Sequence, residues 1–184
     1  MTIAPLRGPT VPVFNAGEIG RRAAARHRRG LPVIGMHFGQ PSAGAPAAAI
    51  AAAHRALDTD ALGYWESEVL RERLAQHYLD EYGVTLPPNR ILLTAGASAA
   101  LVACLAAMFR PGDSVAVLRP GYPAYRNTLR ALGLNCVEIS CGAEHHYRLT
   151  ADMLAALQPA PTGLILASPA NPTGTMLDRE QLAT

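Results

Sequence analysis

The sequence predicts an α/β fold, a mostly parallel sheet flanked by helices. Two observations carry that expectation. From Arg90 onward, short apolar runs alternate with helical stretches, and Gly or Pro punctuates most of the junctions. Composition agrees, because 49% of the 184 residues are hydrophobic and only 16% are charged, the balance of a chain that can bury a core.

Before Arg90 the reading is helical. "FNAGEIGRRAAARHRRG" reads as a basic helix ending near Gly30, and "PVIGMHFG" as an extended segment. "APAAAIAAAHRAL" and "SEVLRERLAQHYLDEYG" are two further helices, the second closed by Gly83. From Arg90 the alternation begins. "RILLT" reads as a strand, followed by a helix from about Ser98 to Phe109. "SVAVLR" is a second strand after the Pro111-Gly112-Asp113 turn, and "YPAYRNTLRALG" is a helix that stops at Gly133. "NCVEIS" is a third strand, "ADMLAALQ" a short helix and "GLILAS" a fourth strand. Asp178 with Gln181 three residues on forms a capping box for a last helix.

Bulk properties narrow the classes of function. No apolar run reaches the roughly 18 residues that a membrane span needs. "MTIAPLRGPTVPVF" lacks the basic-then-apolar layout of a secretory leader. Three cysteines, Cys104, Cys136 and Cys141, form no CxxC pair, which fits a reducing, cytoplasmic setting. The arginines at 21 to 29 have no interleaved aromatics, so they read as a solvated helix face and not as a nucleic-acid surface. All 16 Lys-plus-Arg residues are arginine, as compositional drift in an Ala- and Arg-rich proteome would produce. The consequence is strict: these residues offer no lysine for a Schiff base or a Walker A motif.

In an α/β sheet, ligands gather at the carboxyl ends of the strands. After "ILLT" comes "AGAS", whose small residues open a helix and so present backbone N–H groups to an anion. After "SVAVL" comes "RPGYPAY", where the Tyr122 ring is placed to pack on a planar ligand. After "GLILA" comes "SPANPTG", a stiff loop that holds the Asn171 amide between two prolines whose bonds are candidates for the cis form. Each has a plainer reading, as helix packing, a half-buried loop aromatic and an ordinary turn. Their coincidence at successive strand ends favours a ligand.

"TAGASAAL", "FRPGDSVAVLRPGYPAY" and "SPANPTG" resemble, in order and spacing, successive blocks of the class I/II, fold-type-I, pyridoxal-phosphate-dependent aminotransferases. "IGMHFGQPSAGAP" and "LRERLAQHYLDEYGV" extend the resemblance upstream, so that it runs from about Phe14 to the end. The resemblance implies pyridoxal 5'-phosphate as cofactor, an amino acid and a 2-oxo acid as substrates, and a homodimer for a complete member. It implies that Gly96, Ala97 and Ser98 hold the phosphate and that Tyr122 stacks on the pyridine ring. Asn171 would hydrogen-bond the phenolic oxygen and lie by the substrate, and Gly39 would sit by the substrate carboxylate. Tyr64 would reach the cofactor phosphate of a neighbouring subunit, but the turn after it, "GYWESEVLR", is about three residues shorter than the family pattern and lacks its Gly and Pro.

The resemblance further implies an N-terminal arm and small-domain segment over residues 1–48, then the first part of a cofactor-binding large domain over 49–184. Family members are about twice this length. The expectation is therefore a fragment without the Schiff-base lysine, inactive alone, with no catalytic residue and no metal ligand of its own. A non-catalytic remnant, or a decarboxylase or carbon–sulfur lyase on the same fold, are alternatives. Two others are weaker: Ser98 as a hydrolase nucleophile, against which Ala100 stands where that motif needs Gly, and His145-His146 near Cys141 as a metal site.

Overall fold

The computed structural model describes residues 11–12, 14–61, 63–64 and 66–183. The reading of the first ten residues as free of a leader thus lies outside the described residues. The chain divides into two compact units, Ile34–Ala100 and a second made of Met1–Val33 with Leu101–Thr184.

The Ile34–Ala100 unit contains helices α2 (Ala47–Thr59) and α3 (Glu68–Tyr82), after the extended segment expected near Val33 to Gly39. Ser67 caps α3, its hydroxyl accepting from the Leu70 amide at 3.1 Å, and Gly83 ends it in the left-handed conformation. The strand expected at 90–94 does not form. Pro88–Arg90 is a 3-10 turn, and residues 91–94 run on without a ladder partner among the described residues. A strand exists only through a hydrogen-bonded neighbour, which apolar residues alone do not supply.

The other unit begins with α1 (Asn15–Arg28), the expected basic helix, whose Glu18 bonds Arg21 and Arg22. Helix α4 (Ala97–Met108) leads into a three-stranded parallel sheet of β1 (Ser114–Arg119), β2 (Asn135–Ser140) and β3 (Gly163–Ile165), in the order β2-β1-β3. Helices α5 (Pro123–Ala131), α6 (Ala151–Ala155) and α7 (Arg179–Ala183) complete it. β1 pairs with β2 from Ser114↔Asn135 to Arg119↔Ser140, and with β3 from Val115↔Gly163 to Val117↔Ile165. β3 is shorter than the run "GLILAS", although Leu166 still packs into the core.

Alternation along β1 builds two cores. Val115 and Val117 face Leu105 of α4, Leu129 of α5 and Leu134, while Ala116 faces Ile139, Cys141 and Leu149, with Met153 of α6 packed alongside. Val115, Ala116 and Leu129 are wholly inaccessible to solvent. The last helix starts as its sequence predicts: Gln181 N donates to Asp178 Oδ1 at 2.8 Å, and Asp178 N donates to Gln181 Oε1 at 3.0 Å. None of the described helices is long and apolar enough to cross a membrane.

Candidate cofactor site

The loop after β1 is shaped by sterics before chemistry. A Cβ at Gly121 would run into the Leu118 carbonyl oxygen, so only glycine permits this approach of the chain to itself. The Arg119-Pro120 bond is cis. Tyr122 then serves as N-cap residue of α5, and Pro123 occupies its first turn, where a missing N–H leaves no bond unmade. Tyr125 meets the Tyr122 ring edge-on at 5.5 Å and 85°, and Phe14 does so at 6.2 Å and 82°. These T-shaped contacts fix a half-buried ring beside a cavity of about 280 Å³.

The loop after β3 is held by its backbone. Ser168-Pro169 and Asn171-Pro172 are both cis, as the sequence allows. Ala170 N donates to Thr175 O at 2.9 Å and Gly174 N to Ala170 O at 2.7 Å, while Leu177 N donates to Ser168 Oγ at 3.0 Å. Within this brace Asn171 is exposed, and its carboxamide makes no hydrogen bond to any described residue. Because β1 and β3 are parallel neighbours, the Tyr122 and Asn171 loops leave the same end of the sheet.

In the Ile34–Ala100 unit, Gly96 adopts φ +84°, a conformation open to glycine, immediately before α4. Its N–H donates to Thr94 O at 2.8 Å, and the Thr94 hydroxyl donates to Gly96 O at 3.0 Å. Ala97 and Ser98 follow as the first, exposed residues of the helix, whose opening amides have no intrahelical acceptor. Beyond its chain neighbours, no atom of the described residues lies within 4 Å of where a Gly96 Cβ would stand. Gly39 and Tyr64 of the same unit are also exposed. The Ser98 hydroxyl has no hydrogen-bonded base among the described residues. His145 and His146 lie on an exposed turn, whereas Cys141 is buried with its Sγ 3.8 Å from Met153 Sδ.

Sequence reasoning missed the polar frame around Tyr122. Glu138 of β2 accepts from Arg126 Nη1 at 3.3 and 3.4 Å through its two oxygens, and Arg119 Nε lies 3.9 Å from it. Two signals were available: Arg126 stands one helical turn after Tyr122, and Glu138 is a carboxylate inside the otherwise apolar "NCVEIS".

The sequence profile of aminotransferase class I and II matches residues 32–184. This chain belongs to that family. A valine–pyruvate aminotransferase of Mycobacterium tuberculosis is 42% identical over 176 residues, covering 94% of this chain and 45% of that protein. An arginine–pyruvate transaminase of Pseudomonas aeruginosa is 31% identical over 168 residues, covering 89% of this chain and 43% of that protein. The crystal structure of an aminotransferase from M. tuberculosis superposes with a TM-score of 0.90 at 41% identity, covering 100% of this chain and 48% of that one. The chain thus spans less than half the length of the relatives it matches.

Proposed function

We propose that this chain supplies the cofactor-holding part of a pyridoxal-phosphate-dependent aminotransferase acting on an amino acid and a 2-oxo acid. One observation carries the reading. Tyr122 and Asn171 stand on loops leaving the same end of neighbouring parallel strands, one with its ring already oriented and the other with a free carboxamide. The residues fit the group. Ala97 and Ser98 would offer open backbone donors to a phosphate beside Gly96, whose own N–H is taken by Thr94 O; the Tyr122 ring would offer a platform to a pyridine, and the Asn171 carboxamide a donor to a phenolic oxygen. Gly39, without a side chain, leaves room for a substrate carboxylate, and Tyr64 is an exposed hydroxyl available to a neighbouring subunit.

When bound, the cofactor supplies an electron sink for bond cleavage at the amino-acid Cα. What this chain contributes is binding and orientation. Asn171, on its braced loop, would hydrogen-bond the phenolic oxygen, and Tyr122 would stack on the ring. The first turn of α4 anchors the phosphate at the positive end of the helix. None of the 184 residues is a lysine, so proton transfer at Cα has no lysine amine here to carry it. On this reading residues 1–48 form an arm and small-domain segment and 49–184 the first part of the large domain, in a cytoplasmic homodimer.

The test is binding without turnover. Equilibrium dialysis of the purified chain against pyridoxal 5'-phosphate should show reversible binding, weakened by Tyr122→Ala, while L-valine and pyruvate yield no L-alanine. Loss of one ring contact of about 1 kcal/mol corresponds to a roughly fivefold weaker Kd. Binding that ignores Tyr122→Ala, or turnover by the chain itself, would contradict the reading.

A further inference from the structure

The carboxylate of Glu138 sits between two guanidinium groups that belong to the two ends of one short segment. Arg119 closes β1, Arg126 lies in the first half of α5, and between them run Pro120, Gly121, Tyr122, Pro123, Ala124 and Tyr125. Glu138 comes from the neighbouring strand, opposite Val117 in the register. Arg126 Nη1 reaches both of its oxygens, and Arg119 Nε approaches Oε2. A single side chain of β2 therefore bonds the exit of the turn that carries Tyr122 and lies within ion-pair distance of its entry.

The pairing is directional. Glu138 is about three-quarters buried, with 26% of its side chain exposed, while Arg119 is 70% and Arg126 37% exposed. Among the described residues Arg126 Nε is buried without a hydrogen-bond partner, and the guanidinium meets Glu138 through Nη1. Among the described residues α5 is also held by Leu129 and Tyr125 in the core and by Asn127 Nδ2, which donates to Pro12 O at 3.1 Å, but at its first turn Tyr122 has no side-chain cap bond. The ion pair acts on that first turn, where the Tyr122 ring meets Phe14 and Tyr125 edge-on.

We propose that Glu138 is a positioning residue that, through Arg126 and Arg119, holds Tyr122 in the orientation needed to receive a planar cofactor ring. The functional part of this inference rests on the assignment of Tyr122 as the cofactor platform; the positional part does not. The charges are partly solvated, so their loss should change global stability little. Their loss should instead be read locally, at the ring.

The experiment uses the ligand-free 184-residue chain and NOEs from the Tyr122 ring protons to the Phe14 and Tyr125 rings. Glu138→Gln keeps the shape and removes the charge, and Arg126→Met keeps the apolar stem and removes the guanidinium. Both should weaken these NOEs, while amide shifts of Val115, Ala116 and Leu129 stay in place. The double variant should be no worse than either single one, as expected for two groups acting as a unit. NOEs of wild-type strength in Glu138→Gln would overturn the proposal, and so would amide shifts spread across the whole sheet, which would mark the pair as simple scaffolding. A second arm measures dialysis against pyridoxal 5'-phosphate. A several-fold loss of affinity in both Tyr122→Ala and Glu138→Gln supports the positioning role. A loss in Tyr122→Ala alone overturns that role and leaves the platform intact. No loss in Tyr122→Ala sinks the cofactor reading, and the NOEs then decide the positional claim by themselves.

Discussion

Asn171 is held by its neighbours and not by its own side chain. Bonds from Ala170, Gly174 and Leu177 close the loop around it, leaving the carboxamide free. A side chain with no hydrogen bond among the described residues can be removed at little cost, so Asn171→Ala should leave the unfolding free energy within about 0.5 kcal/mol of wild type. A large drop would mean that the residue serves the fold. The cysteines differ in a similar way. Burial first, and then the nearby Glu144 charge, push the Cys141 thiol above its ordinary range, whereas Cys104 is exposed. The thiolate is the reactive form, and a raised pKa keeps Cys141 protonated as pH climbs through the usual thiol range. Iodoacetamide at pH 8 should therefore modify Cys104 well before Cys141, as peptide mapping would show; equal rates would contradict the burial of Cys141.

Elements were legible where sequence and neighbours agree. β1 and β2 match "SVAVLR" and "NCVEIS" residue for residue, because each run is apolar and finds its partner nearby in the chain. "RILLT" is also an apolar run, yet it has no ladder among the described residues, since an apolar pattern does not specify a pairing partner. The site residues on loops were legible through Gly and Pro punctuation. The Arg119–Glu138–Arg126 frame was not, because its members come from three elements whose adjacency only the register of β1 and β2 reveals. α5 depends on Leu129, which is wholly buried in the core against Val115 and Val117. Leu129→Ala should destabilise this unit by about 2–5 kcal/mol. Urea unfolding followed by circular dichroism checks this, and a change below about 1 kcal/mol would show that α5 is not anchored there.

For the molecule as a whole, the resemblance read from "TAGAS", "RPGYPAY" and "SPANPTG" fixed the family, and the parallel sheet agrees with it. Exposed apolar side chains are numerous: Ile34 and Met36 are each 89% accessible, Val69 and Met108 72%, Leu92 69%. Surfaces of that kind associate. Sedimentation of the isolated chain should show concentration-dependent association, and a strictly monomeric chain at all concentrations would contradict that expectation.

The central proposal is that these residues hold pyridoxal phosphate without a covalent bond, through the first turn of α4 and the loops that follow β1 and β3. The most direct measurement is a titration of the ¹⁵N-labelled chain with pyridoxal 5'-phosphate, followed by amide chemical shifts. The account predicts saturable shifts at Gly96, Ala97, Ser98, Tyr122 and Asn171, reversed on dialysis. Shifts confined to other residues, or none at saturating cofactor, would contradict it.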